Sequence, residues 1–187
     1  MTQAILATLD SRSFVSPWFW LLLLLVWTLA GRRVLGVPGD VVHGARNPAA
    51  GMQDDPEAVL LLDWLSLCLP RWRMNPREGA VLLGVAAFVL SGLAVLGFGY
   101  GLEMAQALVL LILPFALLFL AEARLARRVA PLVAAAQAAD IPVHQAAAEA
   151  ARLMARHRSL VTLASVVVMA LIAWRAAVWM VTHPFGY

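Results

Sequence analysis

The chain has 187 residues, 63% of them hydrophobic, with a mean hydropathy of +0.83 and a net charge of +3. Soluble domains run at about 45–50% apolar, so the composition excludes an ordinary soluble domain and indicates an integral membrane protein built as a single membrane domain. So small a charge gives no argument for a nucleic-acid partner, and the one cysteine, Cys68, excludes an intrachain disulfide and a cysteine cluster for zinc or iron–sulfur.

The start, "MTQAILATLDSRSF", lacks the basic head and small-residue cleavage site of a signal peptide, so the apolar run after it is expected to be retained. That run gives the first predicted span, 16–35, opened by Ser16 as N-cap and Pro17 as first helical residue. "GVPGDVVHGARNPAAGMQ" follows. It is the one stretch that reads as a candidate disordered tract, and the two glycines of its opening "GVPGD" lack the Lys and spacing of a phosphate loop and mark a turn. Asp55 and Pro56 then start a helix with an apolar core of about a dozen residues, too short to span a bilayer. Asp55, Asp63 and Ser66 form a narrow polar strip on it, and it is expected to lie on the inner surface over 55–70, in an interfacial or re-entrant manner. A fifth span is the rival reading and breaks the arginine pattern described below.

"NPRE", Asn75 to Glu78, caps the second span, 79–99, and Glu78 is placed to close a capping box. The third span, 103–121, follows a tight turn at "GFGYGLEMAQAL". Beyond it, residues 121–158 are alanine-rich and helix-favouring, with "ADIP" as their one turn signal. Spans three and four are therefore expected to continue as an antiparallel cytoplasmic hairpin, each arm about 16 residues or roughly 25 Å long. Leu125, Leu132, Val133, Ile141, Leu153 and Met154 are its expected seam, and Pro131 and, inside the membrane, Pro114 are expected to kink the third helix. The fourth span, 159–182, is interrupted by Arg175.

All fourteen basic residues are arginine, which with the abundant alanine points to a GC-rich bacterial genome. Twelve of them fall in the two long connections. The positive-inside rule puts those connections in the cytoplasm, with both termini and the Gly97–Gly101 turn on the periplasmic side of the inner membrane. Trp18, Trp20, Tyr100, Trp179, Phe185 and Tyr187 then form the outer aromatic belt, and Trp64 and Trp72 the inner one. The arginine-rich cytoplasmic face is a candidate surface for lipids.

Chemistry is sparse. His43, His144, His157 and His183 lie outside the predicted spans as surface histidines, and no pair has helical ligand spacing, so no metal and no cofactor is expected. No G-x-S-x-G or H-E-x-x-H occurs, Cys68 reads as a small apolar residue, and no enzymatic activity is expected. The distinctive features are packing faces. Ala80, Gly84, Ala87, Ser91 and Ala94 share one face of the second span, and Ala170, Ala173 and Ala177 one face of the fourth. Small residues let backbones approach closely, here to close the bundle or to meet another membrane subunit. Arg175 lies at depth, where a charge is costly by about 2–3 kcal/mol. It is expected to pair with Glu103, shared with Gln106, or else to snorkel or meet a partner's acid. On a helical wheel it points nearly opposite the Ala170–Ala173–Ala177 face.

At "FVSPWFWLLLLLVWTLAGRRVLGVPGDVV" and "VLGFGYGLEMAQAL" the chain resembles a family of small alphaproteobacterial inner-membrane proteins often labelled "component of SufBCD complex". The resemblance implies a link to iron–sulfur cluster assembly, with this chain as an anchor for a soluble machine. The expected architecture is an all-α integral membrane four-helix bundle with an interfacial helix and a cytoplasmic helical hairpin. The expected function is a structural or accessory subunit docked, within the lipid bilayer, against other integral membrane protein subunits. The alternatives are a small homo-oligomeric transporter or channel and, more weakly, the iron–sulfur assembly anchor.

Overall fold

A computed structural model describes residues 16–46, 55–73 and 75–182. Asp10, Arg12, residues 47–54, His183, Phe185 and Tyr187, on which some expectations fell, lie outside the described residues. The described chain is essentially all-α, and three of its helices are long and apolar enough to cross a membrane.

Helix α1, Pro17–Arg32, is apolar almost throughout. It stops three residues short of the expected end because the chain turns back on itself. Strands β1 (Arg33–Val34) and β2 (Val37–Pro38) pair antiparallel around Leu35 and Gly36, both at positive φ (55° and 89°). Two such residues are what a tight two-residue hairpin turn requires. Gly36 meets that need at no steric cost, and a side chain there would touch Cys68 Sγ at 3.4 Å. Leu35 adopts the strained conformation but is buried, which offsets the strain.

Helix α2, Gly39–Gly44, follows, then α3, Pro56–Cys68, capped by Asp55, whose Oδ1 accepts from Glu57 N at 3.1 Å. A 3-10 turn, Leu69–Trp72, ends that segment. Helix α4, Pro76–Ala94, is capped as expected: Asn75 Oδ1 accepts from Arg77 N at 3.3 Å, with Pro76 as the first helical residue. It passes into a π-helical turn, Val95–Gly99. Helix α5, Glu103–Gln137, continues through Pro114 and Pro131, and α6, Val143–Thr182, completes the chain. The turn between them falls at "ADIP". Ala139 N bonds to Ala136 O and Asp140 N to Ala135 O, with Ala139 at φ 58°. That is a Schellman closure with alanine where glycine is usual. Helices α5 and α6 are joined there as a helical hairpin.

Contacts divide the chain into two compact units. Among the described residues one comprises 16–27, 75–117 and 164–182, and the other 28–46, 55–73 and 118–163. In the first, Ala107 and Ala176 pack among Phe19, Trp20, Leu110 and Trp179. Trp27 is buried against Phe115 with ring centroids 5.0 Å apart. Helix α4 contributes no buried residue at all.

The second unit holds the larger core. Val129 and Val133 of α5 and Ala146, Ala147, Ala150, Ala151 and Met154 of α6 form the hairpin's inner side. Alanine at these positions allows close approach. The seam is not thin, because Leu35, Val37 and Val42 and Leu61 and Leu65 of α3 close over it. Leu125, Val133 and Met154 are buried as expected of a seam, while Leu132, Ile141 and Leu153 are partly buried at its edge. Helix α3 therefore has apolar residues on two sides: Ala58, Leu61, Leu65 and Cys68 face the core, and Val59, Leu60, Trp64 and Leu67 are exposed. This explains the narrowness of its polar strip, where Ser66 Oγ donates to Asp63 O at 2.7 Å.

Candidate functional site

The densest polar arrangement in the first unit is built on the turn at Gly97. The helix end leaves backbone carbonyls without helical partners. Two are taken by Tyr100 N on Val95 O and Leu102 N on Leu96 O, at 3.2 and 3.3 Å. The Gly97 carbonyl instead accepts from Gln106 Nε2 at 2.7 Å. Gly97 must lack a side chain for this. A Cβ there would lie 2.7 Å from Gln106 N and 2.9 Å from Gln106 Cγ.

The other end of the same amide meets Arg175, whose Nη2 donates to Gln106 Oε1 at 2.7 Å. Gln106 thus bridges the α4 terminus to α6 and uses both of its polar atoms. Arg175 also lies 5.5 Å from the Trp179 ring centroid, within cation–π range. Glu103 is buried in the first turn of α5, where the helix dipole favours a carboxylate. Of the expected trio, the hydrogen bond seen at Arg175 runs to the neutral member.

That bond decides which way α6 faces. Ile172 and Ala176 are buried beside half-buried Arg175, and Ala170, Ala173 and Ala177, on the opposite side, are exposed. The α4 face behaves alike: Ala80, Gly84, Ala87 and Ser91 are exposed, and a side chain added at Gly84 would meet open space. Neither small-residue face closes the bundle. An arginine at depth gains more from a buried acceptor than an alanine gains from burial.

The aromatic anchors differ in exposure. Trp18 and Trp64 are exposed, while Trp20, Trp72 and Trp179 are half-buried. Trp72 packs on Phe119 with centroids 5.5 Å apart.

In the second unit a narrow cleft is lined by Arg33, Glu122, His157 and Arg158. His157 is not a surface histidine. It sits one turn beyond Met154 on the inward side of α6, 9% exposed, and its Nε2 has no hydrogen-bond partner among the described residues. Burial holds its imidazole below the usual value and pushes the Glu122 carboxyl up to about 7. The local surroundings therefore favour both groups uncharged. Glu122 escaped sequence reading because "AEAR" looks like a solvated helix face; it is desolvated by burial in the fold, where Arg33 and Val34 line the cleft beside it together with His157. His43 is exposed, and His144 is half-buried with an unpartnered Nδ1 among the described residues. Cys68 is a buried free thiol. Among the described residues no cluster of His, Cys, Asp or Glu is arranged to hold a metal ion.

Compared with protein-family models, with curated proteins and with solved structures, the chain gives no match.

Proposed function

We propose that the protein is a non-catalytic accessory subunit that docks against a larger bacterial inner-membrane assembly. One observation carries this reading: α4 buries no residue within the chain and leaves its small-residue face, Ala80–Gly84–Ala87–Ser91, uncovered. Lipid tails are as apolar as a leucine side chain, so an apolar face in a membrane needs no cover. A face of small residues is suited to close approach by another helix. The uncovered Ala170–Ala173–Ala177 face of α6 agrees.

In this reading α1 is a fourth span. Its 16 residues rise about 24 Å, somewhat less than the roughly 30 Å of hydrocarbon, which local thinning accommodates. Both termini are periplasmic, and the exposed Val59, Leu60, Trp64 and Leu67 of α3 rest on the inner membrane surface. The chain belongs, on this proposal, with the small inner-membrane proteins it resembles.

The test uses Gly84→Leu and Ala87→Leu. Both positions are exposed, so membrane abundance and helicity should be unchanged, while co-purification of other subunits in mild detergent should be lost. Partners retained by the double variant would sink this docking surface. A homogeneous oligomer with solute flux in liposomes would favour the transporter reading instead.

A further inference from the structure

We propose that the cleft between the 3-10 turn Leu69–Trp72 and helix α5 binds the headgroup of an anionic phospholipid. The cleft is about 330 Å³ and is lined by Leu69, Trp72, Arg73, Ala126, Arg127 and Ala130. Its chemistry is divided, with an apolar lining of Leu69, Ala126 and Ala130 and two guanidinium groups. Arg73 and Arg127 are exposed, and neither guanidinium has a hydrogen bond or ion pair among the described residues. Two exposed arginines beside an apolar wall are complementary to a phosphodiester carrying acyl chains. A guanidinium presents a planar fork that matches phosphate oxygens in a bidentate manner.

The depth fits the same occupant. Trp72 packs on Phe119, in the last turn of the span that ends at residue 121. Arg127 lies about eight residues further on, or about 12 Å along the helix axis. Its side chain leans toward the helix N-terminus, and so toward the bilayer. With a headgroup layer of about 5–7 Å outside the hydrocarbon, a guanidinium reaching back from residue 127 meets that layer. Basic pockets beside membrane helices are the usual receptors for anionic headgroups. This inference rests on the membrane-spanning reading of 103–121 and not on docking by α4.

The experiment is native mass spectrometry of the purified full-length chain in non-ionic detergent, titrated with phosphatidylglycerol or phosphatidylcholine. The expected result is a one-to-one adduct that prefers phosphatidylglycerol. Arg73→Gln and Arg127→Gln should each weaken it by about fivefold, the effect of removing one charge near a lipid surface. Arg124→Gln and Arg152→Gln, at exposed arginines outside the cleft, should leave it unchanged. Arg73→Lys and Arg127→Lys keep the charge but lose the fork, so they should bind more weakly than the parent and more tightly than the Gln variants, which separates loss of charge from misfolding. Equal retention of phosphatidylcholine, or equal loss in the control variants, overturns the site. Displacement of the lipid by millimolar inorganic phosphate assigns the cleft to a free phosphate and overturns the lipid. The protein is free of partner subunits in this measurement, so its outcome is independent of the docking test.

Discussion

Gln106 shows how one neutral side chain makes a half-buried charge tolerable. Its amide accepts from Arg175 and donates to the Gly97 carbonyl, both at 2.7 Å. Replacing it with leucine keeps most of the volume and leaves both partners without this bridge. Gln106→Leu should therefore cost about 1–3 kcal/mol, read as a lower melting temperature in detergent. Arg175→Leu in the same background should recover part of that loss, because it removes the charge as well as the bond. Strictly additive losses would show that the two residues are not coupled. Glu122 gives a second test at this scale. Burial raises its carboxyl from 4.5 to about 7, so the folded protein holds the proton more tightly than the unfolded chain. Its favourable contribution is complete below pH 4.5 and is lost as pH rises through about 7. His157 runs the other way: its lowered value makes its contribution present above pH 6.5 and lost as pH falls. Glu122→Gln should thus gain stability relative to the parent as pH is raised from 6 to 8.5, measured by thermal melting across pH. A difference that stays constant over that range would contradict the burial of this group.

At the scale of elements, helix ends were legible and helix faces were not. Asp55 and Asn75 cap α3 and α4 because a short acceptor followed by proline satisfies the first free amides locally. "ADIP" breaks the chain between α5 and α6 for a similarly local reason, and the residue that turns left-handed is Ala139, just before Asp140. An alanine there bears about 1–2 kcal/mol of strain. Ala139→Gly should accordingly stabilise the hairpin by up to about 1 kcal/mol, less the extra entropy glycine has when unfolded, and the melting temperature should rise. A fall would mean that the Cβ packs usefully. The end of α1 was misjudged by three residues, because "RRVLGV" forms its tight turn only where Leu35 has a core to enter. Small-residue periodicity on α4 and α6 marked surfaces able to pack without saying against what. The orientation of α6 follows from Arg175, whose partner lies 69 residues away in sequence.

Over the whole molecule, composition and the lengths of the apolar runs were enough to establish an all-α membrane protein, since the cost of bare backbone in lipid leaves few other solutions. The same reasoning placed a helical hairpin over residues 121–158, because alanine-rich sequence has no competing local preference. These properties depend on each residue and its near neighbours along the chain. What depended on distant residues meeting had no local signature. Segment 33–45 and helix α3 roof the hairpin core and convert an expected thin seam into a filled one. His157 and Glu122 are shifted toward their uncharged forms by burial that only the folded chain supplies. The cleft with Arg73 and Arg127 exists because the turn after α3 stops beside α5. Sequence alone thus determined the solvent, the helices and their ends, through hydropathy and capping. The tertiary structure alone decided which face of each helix turns inward, because that choice balances a half-buried arginine, a glycine contact and the fit of remote side chains, none of which is encoded within a single turn of helix.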